Sequence, residues 1–179
     1  MRAMSIVAFP VILLLSLVTL QRLGELVYAR RNTQRLRSAG AVEVGARHYP
    51  LLVLLHSSWL AWLWYVALRG DAVLQIWPTL AYILMQGFRA WIMVSLGRFW
   101  TTRILIPRDA PLVQHGPYRF MRHPNYLLVV FEIALLPLAL DLPIAALVFS
   151  VMNALVLAWR IHIEESALIL RRRNNATLR

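Results

Sequence analysis

The chain contains no lysine and no cysteine. Without lysine, no Schiff base can form on a side-chain amine. Without cysteine, disulfides, thiol catalysis, thiolate-held metals and palmitoylation are excluded. Acidic residues are scarce: eight Asp and Glu stand against 19 basic residues, all arginine, for a formal charge of +11. Charged residues fill only 15% of the 179 positions, less than a soluble domain of this length carries, and hydrophobic residues fill 60%. Several apolar runs reach the roughly 20 residues needed to cross a bilayer, which marks an integral membrane protein. The arginines flank those runs rather than stud a basic helix or an aromatic sheet. They fit membrane flanks and anionic headgroups better than nucleic acid. Also missing are G-x-S-x-G, H-E-x-x-H, a Walker pattern and a G-x-G-x-x-G after a strand. Serine hydrolase, zinc protease and soluble nucleotide-binding chemistries fall away with them.

What is present predicts an all-α integral membrane fold of about five transmembrane helices. The spans run from about Met4 to Tyr28, Tyr49 to Leu68, Ala72 to Leu96, Asn125 to Leu140 and Ile144 to His162. Ile6 to Leu20 resembles a signal peptide, but Gln21-Arg22-Leu23-Gly24-Glu25 offers no small-x-small cleavage pattern, so it reads as a retained span. Arg22 and Glu25, three apart, can pair near the end of that helix. The arginine-rich segment after it, with Gly40 and Gly45, fits a surface loop. Asp141-Leu142-Pro143 is a tight turn that makes the last two spans a hairpin. No repeat or second domain is visible. One membrane-embedded domain covers 1–179, with three spans in 1–96 and a cytoplasmic cofactor loop, hairpin and tail in 97–179. Arginine counts alternate so that the N-terminus lies outside and the tail in the cytoplasm. Trp59, Trp62, Trp64 and Trp77 suggest an aromatic belt.

Two clusters can carry chemistry. The first is the loop from His115 to Tyr126, dense in Arg, His and Tyr. Pro117 and Pro124 fix φ there and bias Gly116 and His123 toward extended shapes. It suits a cradle for a small polar molecule, or equally a grip on lipid headgroups. The second is Arg160, Glu164 and Glu165 at the cytoplasmic end of the last span, with Arg160 and Glu164 on one helical face. Glu132 and Asn153 lie within the hairpin, where Glu132 offers either a proton acceptor or an interhelical hydrogen bond. His48 and His56 are eight apart, about 80° around an ideal helix, with no third ligand at a metal-like spacing. No metal site is expected, and both histidines read as interhelical polar contacts.

Gly116-Pro117-Tyr118, then Arg122-His123-Pro124-x-Tyr126, an apolar hairpin and Arg160-x-x-x-Glu164-Glu165 together resemble the isoprenylcysteine carboxyl methyltransferase family of membrane enzymes. The likeness covers Phe99 to Leu170. It implies transmembrane helices and an S-adenosylmethionine pocket between the loop and the last helix. It implies cofactor contacts from Leu112, Val113, Gly116, Tyr118, His123, Pro124, Asn125, Tyr126 and Glu164, and an acceptor contact from Arg160. Leu128 stands where many members have glycine, and Arg171-Arg172-Arg173-Asn174-Asn175 replaces an aromatic tail. The N-terminal half, with Ala29-Arg30-Arg31-Asn32 and His48-Tyr49-Pro50, resembles a bacterial branch associated with O-methylation of long-chain alkylpyrones. A bacterial inner membrane is therefore the expected location.

Methyl transfer from a sulfonium is an in-line displacement, in which alignment supplies much of the rate. Arg160 can hold a carboxylate or acidic enolate oxygen by charge-assisted hydrogen bonds. Such an acceptor needs little or no base, whereas a plain phenol would need help, for which Glu132 and Glu165 are the candidates. A lipophilic acceptor would enter from the bilayer and the cofactor from the cytoplasm. Phospholipid N-methylation remains an alternative. So do a nicotinamide-dependent membrane reductase, whose phosphates the arginines would grip, and a non-catalytic scaffold.

Overall fold

The computed structural model describes residues 8–107 and 113–177. Five helices dominate it: α1 (Ala8–Ser38), α2 (Tyr49–Arg69), α3 (Ile76–Leu96), α4 (Pro124–Ala139) and α5 (Pro143–Thr177). The protein is an all-α integral membrane protein. Four of the helices are long and apolar enough to cross a bilayer, and α4 is a shorter apolar helix. At 16 residues, α4 reaches about 24 Å against a hydrocarbon core of about 30 Å. Leu13, Leu17, Trp77, Val94, Ile144 and Leu155 are all at least 47% exposed. An apolar outer surface of that extent is stable against lipid, not water.

Two cores hold the bundle. Val11, Leu15 and Val18 of α1 pack with Trp59 and Leu63 of α2, Tyr82 of α3, and Ile133 and Leu136 of α4. Nearer the loop from His115 to Tyr126, a proline-bound hook, Ala29, Ile92, Trp100 and Leu128 form the second, with Tyr28 and Tyr118 against it. Leu128 is fully buried there and fills this core.

Several boundaries differ from the sequence expectation. The arginine-rich stretch after Tyr28 is not a loop, because α1 continues to Ser38. Arg, Gln and Leu are good helix formers, and no Gly or Pro intervenes before Gly40. Gly40, at φ 83°, ends the helix. Its N–H donates to Arg37 and that of Ala41 to Leu36, the paired bonds of a Schellman stop. Gly70 closes α2 in the same way, with Gly70 donating to Ala67 and Asp71 to Val66. Helix α3 begins at Ile76 rather than Ala72, because Val73 and Gln75 donate instead to the carbonyls of Leu140 and Ala139. The all-α expectation also missed two short strands, β1 (Val42–Val44) and β2 (Ile104–Ile106), which pair antiparallel. Of the four tryptophans expected in a belt, Trp62 and Trp77 are exposed, whereas Trp59 is buried. Trp64 turns inward too, donating to Thr19 Oγ1 at 2.9 Å.

Candidate active site

The hook begins where Gly116 takes φ +61°. The sequence predicted an extended Gly116, but this left-handed turn lets the backbone lie against α3. A β-carbon at this position would come within 2.9 Å of the Ser95 β-carbon. Pro117 is buried in the 3-10 turn Gly116–Arg119, and its carbonyl accepts from Phe120 and Met121. His123 then caps α4, its carbonyl accepting from the Tyr126 and Leu127 N–H groups. Pro124 at the first helical position costs nothing, since its missing N–H would have no helical partner.

That capping aims Tyr126 at α5. Its ring stacks on His123, with centroids 5.2 Å apart and planes 17° from parallel. Its hydroxyl donates to Glu164 Oε2 and accepts from Arg160 Nε at 3.0 Å. Arg160 and Glu164, predicted to share a helical face, are therefore bridged by a tyrosine. Arg160 Nη2 also donates to the Thr102 carbonyl at 2.9 Å, and the Thr102 hydroxyl meets that of Tyr49 at 3.1 Å. His123 Nε2 lies 3.7 Å from Glu165 Oε1, a half-exposed carboxylate. Burial pushes the Tyr118 hydroxyl well above its ordinary pKa, and the nearby charge of Glu164 pushes the same way. Tyr118 is thus a neutral donor at physiological pH. Of the residues named from sequence, Tyr118, His123, Asn125, Tyr126, Arg160, Glu164 and Glu165 converge at this end of the bundle. Leu112 lies outside the described residues.

Behind Tyr126 lies a cavity of about 330 Å³, in the size range of small-molecule sites. Asn125, Tyr126 and Arg160 form its upper wall, and apolar residues such as Leu52, Leu60, Val129, Ile133 and Leu157 form most of the rest. Leu23, Leu26 and Val53 line it as well and are 44–55% exposed on the outside of α1 and α2. The cavity therefore reaches both the polar end of the bundle and its apolar flank.

Glu132, proposed from sequence as a proton acceptor, sits lower in the same cavity wall in a four-member ionic cluster. Arg89 Nε donates to it at 2.8 Å, Gln86 at 3.0 Å and Arg22 Nη2 at 3.0 Å. Arg22 and Arg89 also bind Glu25 Oε2, at 2.9 Å and 2.8 Å. The pairing of Arg22 with Glu25 was expected, but at a helix end. The longer α1 makes it an internal pair that joins α1, α3 and α4. Sequence reasoning missed the cluster and the roles of Tyr49 and Thr102. An arginine inside the apolar third span was the signal that partners lay elsewhere in the bundle. No group of three or more His, Asp or Glu among the described residues can hold a metal.

The class is thus a helical membrane protein with a polar site clamped between a proline-bound hook and its last helix. Residues 77–170 match the isoprenylcysteine carboxyl methyltransferase (ICMT) family, and this chain belongs to that family. Membership implies a membrane methyltransferase. The chain is also 36% identical over 164 residues to the Bacillus subtilis (strain 168) "Uncharacterized protein YpbQ", covering 87% of this chain and 95% of that one. No solved structure matches it.

Proposed function

We propose that this protein is an S-adenosylmethionine-dependent O-methyltransferase acting on a carboxylate or acidic enol oxygen of a lipophilic acceptor. What supports this most is that Tyr126 of the hook and Arg160 of α5, bonded to each other, also line the cavity. A donor held by the hook and an acceptor held in the cavity would meet across those two side chains. The residues of the hook and of the facing turn of α5 suit the cofactor. Glu164 and Glu165 supply carboxylates for its ammonium or ribose hydroxyls, and Tyr118 supplies an aromatic face for a cation. When bound, the cofactor supplies an electrophilic methyl group. The chain's own contribution is placement and charge. Arg160, held by Tyr126 and Thr102, has Nη1 without a hydrogen bond among the described residues, available for an anionic oxygen. Alignment at that distance is worth several kcal/mol of barrier.

Glu132 is better read as a structural anion, because cations and an amide already occupy its oxygens. A carboxylate acceptor needs no base, and for a weaker acid the half-exposed Glu165 beside His123 is the remaining candidate. The Leu23, Leu26 and Val53 flank is the proposed entry for the acceptor from the bilayer. The basic extension of α1 and the hook face the cytoplasm in this reading, by the arginine bias.

Titration of the purified protein with S-adenosylhomocysteine tests the proposal. Binding is expected in the wild type, and His123→Ala and Glu164→Ala should each weaken it at least about tenfold. Unchanged affinity in both variants, or stabilisation by NADPH in place of S-adenosylhomocysteine, would overturn it.

A further inference from the structure

Below the Arg160 end, all five helices contribute polar side chains to the cavity wall, among them Arg22, His56, Arg89, Glu132 and Asn153. They lie at one depth. Glu132 is six residues past Tyr126, and Asn153 is seven before Arg160, which sets both about 10 Å down their helices. The rings of His48 and Trp159 meet at 5.9 Å, which fixes α2 against α5 and brings His56 to the level of Asn153.

This ring divides into a used part and a spare part. Two arginines and two carboxylates, Glu25 included, cancel one another. Asn153 is different: its residue is only 3% exposed, it lines the cavity, and its amide has no hydrogen bond among the described residues. His56 is similar on one side only. Its Nδ1 lies 2.8 Å from the Leu52 carbonyl, which can only accept, so Nδ1 carries the proton and Nε2 keeps its lone pair. Nε2 likewise has no partner among the described residues. Both groups face the cavity, so a ligand group placed between them gains hydrogen bonds that the protein itself leaves open.

We propose that Asn153 and His56 form a second polar subsite that binds a neutral hydroxyl in the chain of the acceptor, about 10 Å from the oxygen held at Arg160. A hydroxyl donates to His56 Nε2 and accepts from the Asn153 amide, satisfying both. A charged group gains nothing there, because the wall's charges are already paired and its desolvation would go uncompensated. The acceptor is then a lipid with two polar points rather than a plain hydrocarbon tail. This rests on Arg160 as the anchor of the acceptor, as proposed above.

The test compares hexadecanoic acid with its analogue carrying a hydroxyl about eight carbons from the carboxyl, titrated into the full chain in detergent. The hydroxy acid is expected to bind about tenfold more tightly. In Asn153→Leu the two acids should bind alike, and in His56→Phe the preference should shrink in the same direction, so one variant serves if the other does not fold. Equal affinity of the two acids in the wild type, binding of neither, or a preference that survives both substitutions would overturn the subsite. Titration of the same wild-type preparation with S-adenosylhomocysteine separates the two ideas. Loss of that binding removes the methyltransferase reading, whereas the hydroxyl preference reports on the subsite alone.

Discussion

Two polar networks cross this bundle, and they are built on opposite plans. The lower one, around Glu132, joins three helices through two arginines and two carboxylates that use up one another's hydrogen bonds. The upper one, around Tyr126, joins the hook to α5 through single contacts, with a half-exposed Glu165 and a 3.7 Å gap to His123. A saturated network in a low-dielectric interior fixes where helices sit. A network with vacant positions can exchange partners with a ligand. The proposed chemistry draws on the second kind, and the bundle's rigidity on the first.

Four changes probe that contrast, from the largest effect to the smallest. Glu132→Ala strands Arg22 and Arg89 without their shared anion, and about 3–5 kcal/mol of stability should be lost in unfolding measurements. A protein that melts normally but cannot transfer methyl groups would reverse the two roles. Gly116→Val meets Ser95 and a backbone region that β-branched residues avoid. Affinity for S-adenosylhomocysteine should fall by more than about tenfold as the hook lifts away. Arg160→Lys keeps the charge but loses the fork that spans Tyr126 and Thr102, so kcat/KM should fall about 10- to 100-fold at near-normal melting temperature. A silent swap would favour a scaffold.

The smallest effect is at the surface. Burial pushes the Glu43 carboxyl up, but hydrogen bonds from Arg103 and Arg37 outweigh it and hold the group below its ordinary 4.5. A carboxylate whose folded pKa is depressed stabilises the fold above that ordinary value. The contribution disappears as pH falls below 4.5 through the folded value. Melting temperature in Glu43→Gln should therefore depend less on pH in the acid range than in the wild type.

The legible part of this molecule was the part written in consecutive residues. Apolar run length predicted the helices, and the Gly-Pro-Tyr and Arg-His-Pro-x-Tyr spacing pointed to the hook. The arginines from Arg30 to Arg37 were ambiguous because the same residues suit a solvated helix and a basic loop. Strands of three residues carry too little period to be recognised, and Val42–Val44 finds its partner some sixty positions away. The ionic cluster was hidden for the same reason: Arg89 reaches back 64 positions to Glu25 and forward 43 to Glu132. Glu132 alone suggested an acid–base group, and only its three-dimensional partners make it a strut.

Thr102 is gripped from two directions, by the Tyr49 hydroxyl on one side and by Arg160 on the other. Tyr49 lies in the N-terminal part of the chain, outside the stretch that matches the family. The guanidinium proposed to meet the acceptor is thus steadied by a threonine that the N-terminal part holds in place. Altering Tyr49 should re-aim that guanidinium without touching the hook, changing the proposed acceptor preference while the proposed donor site stays as it is.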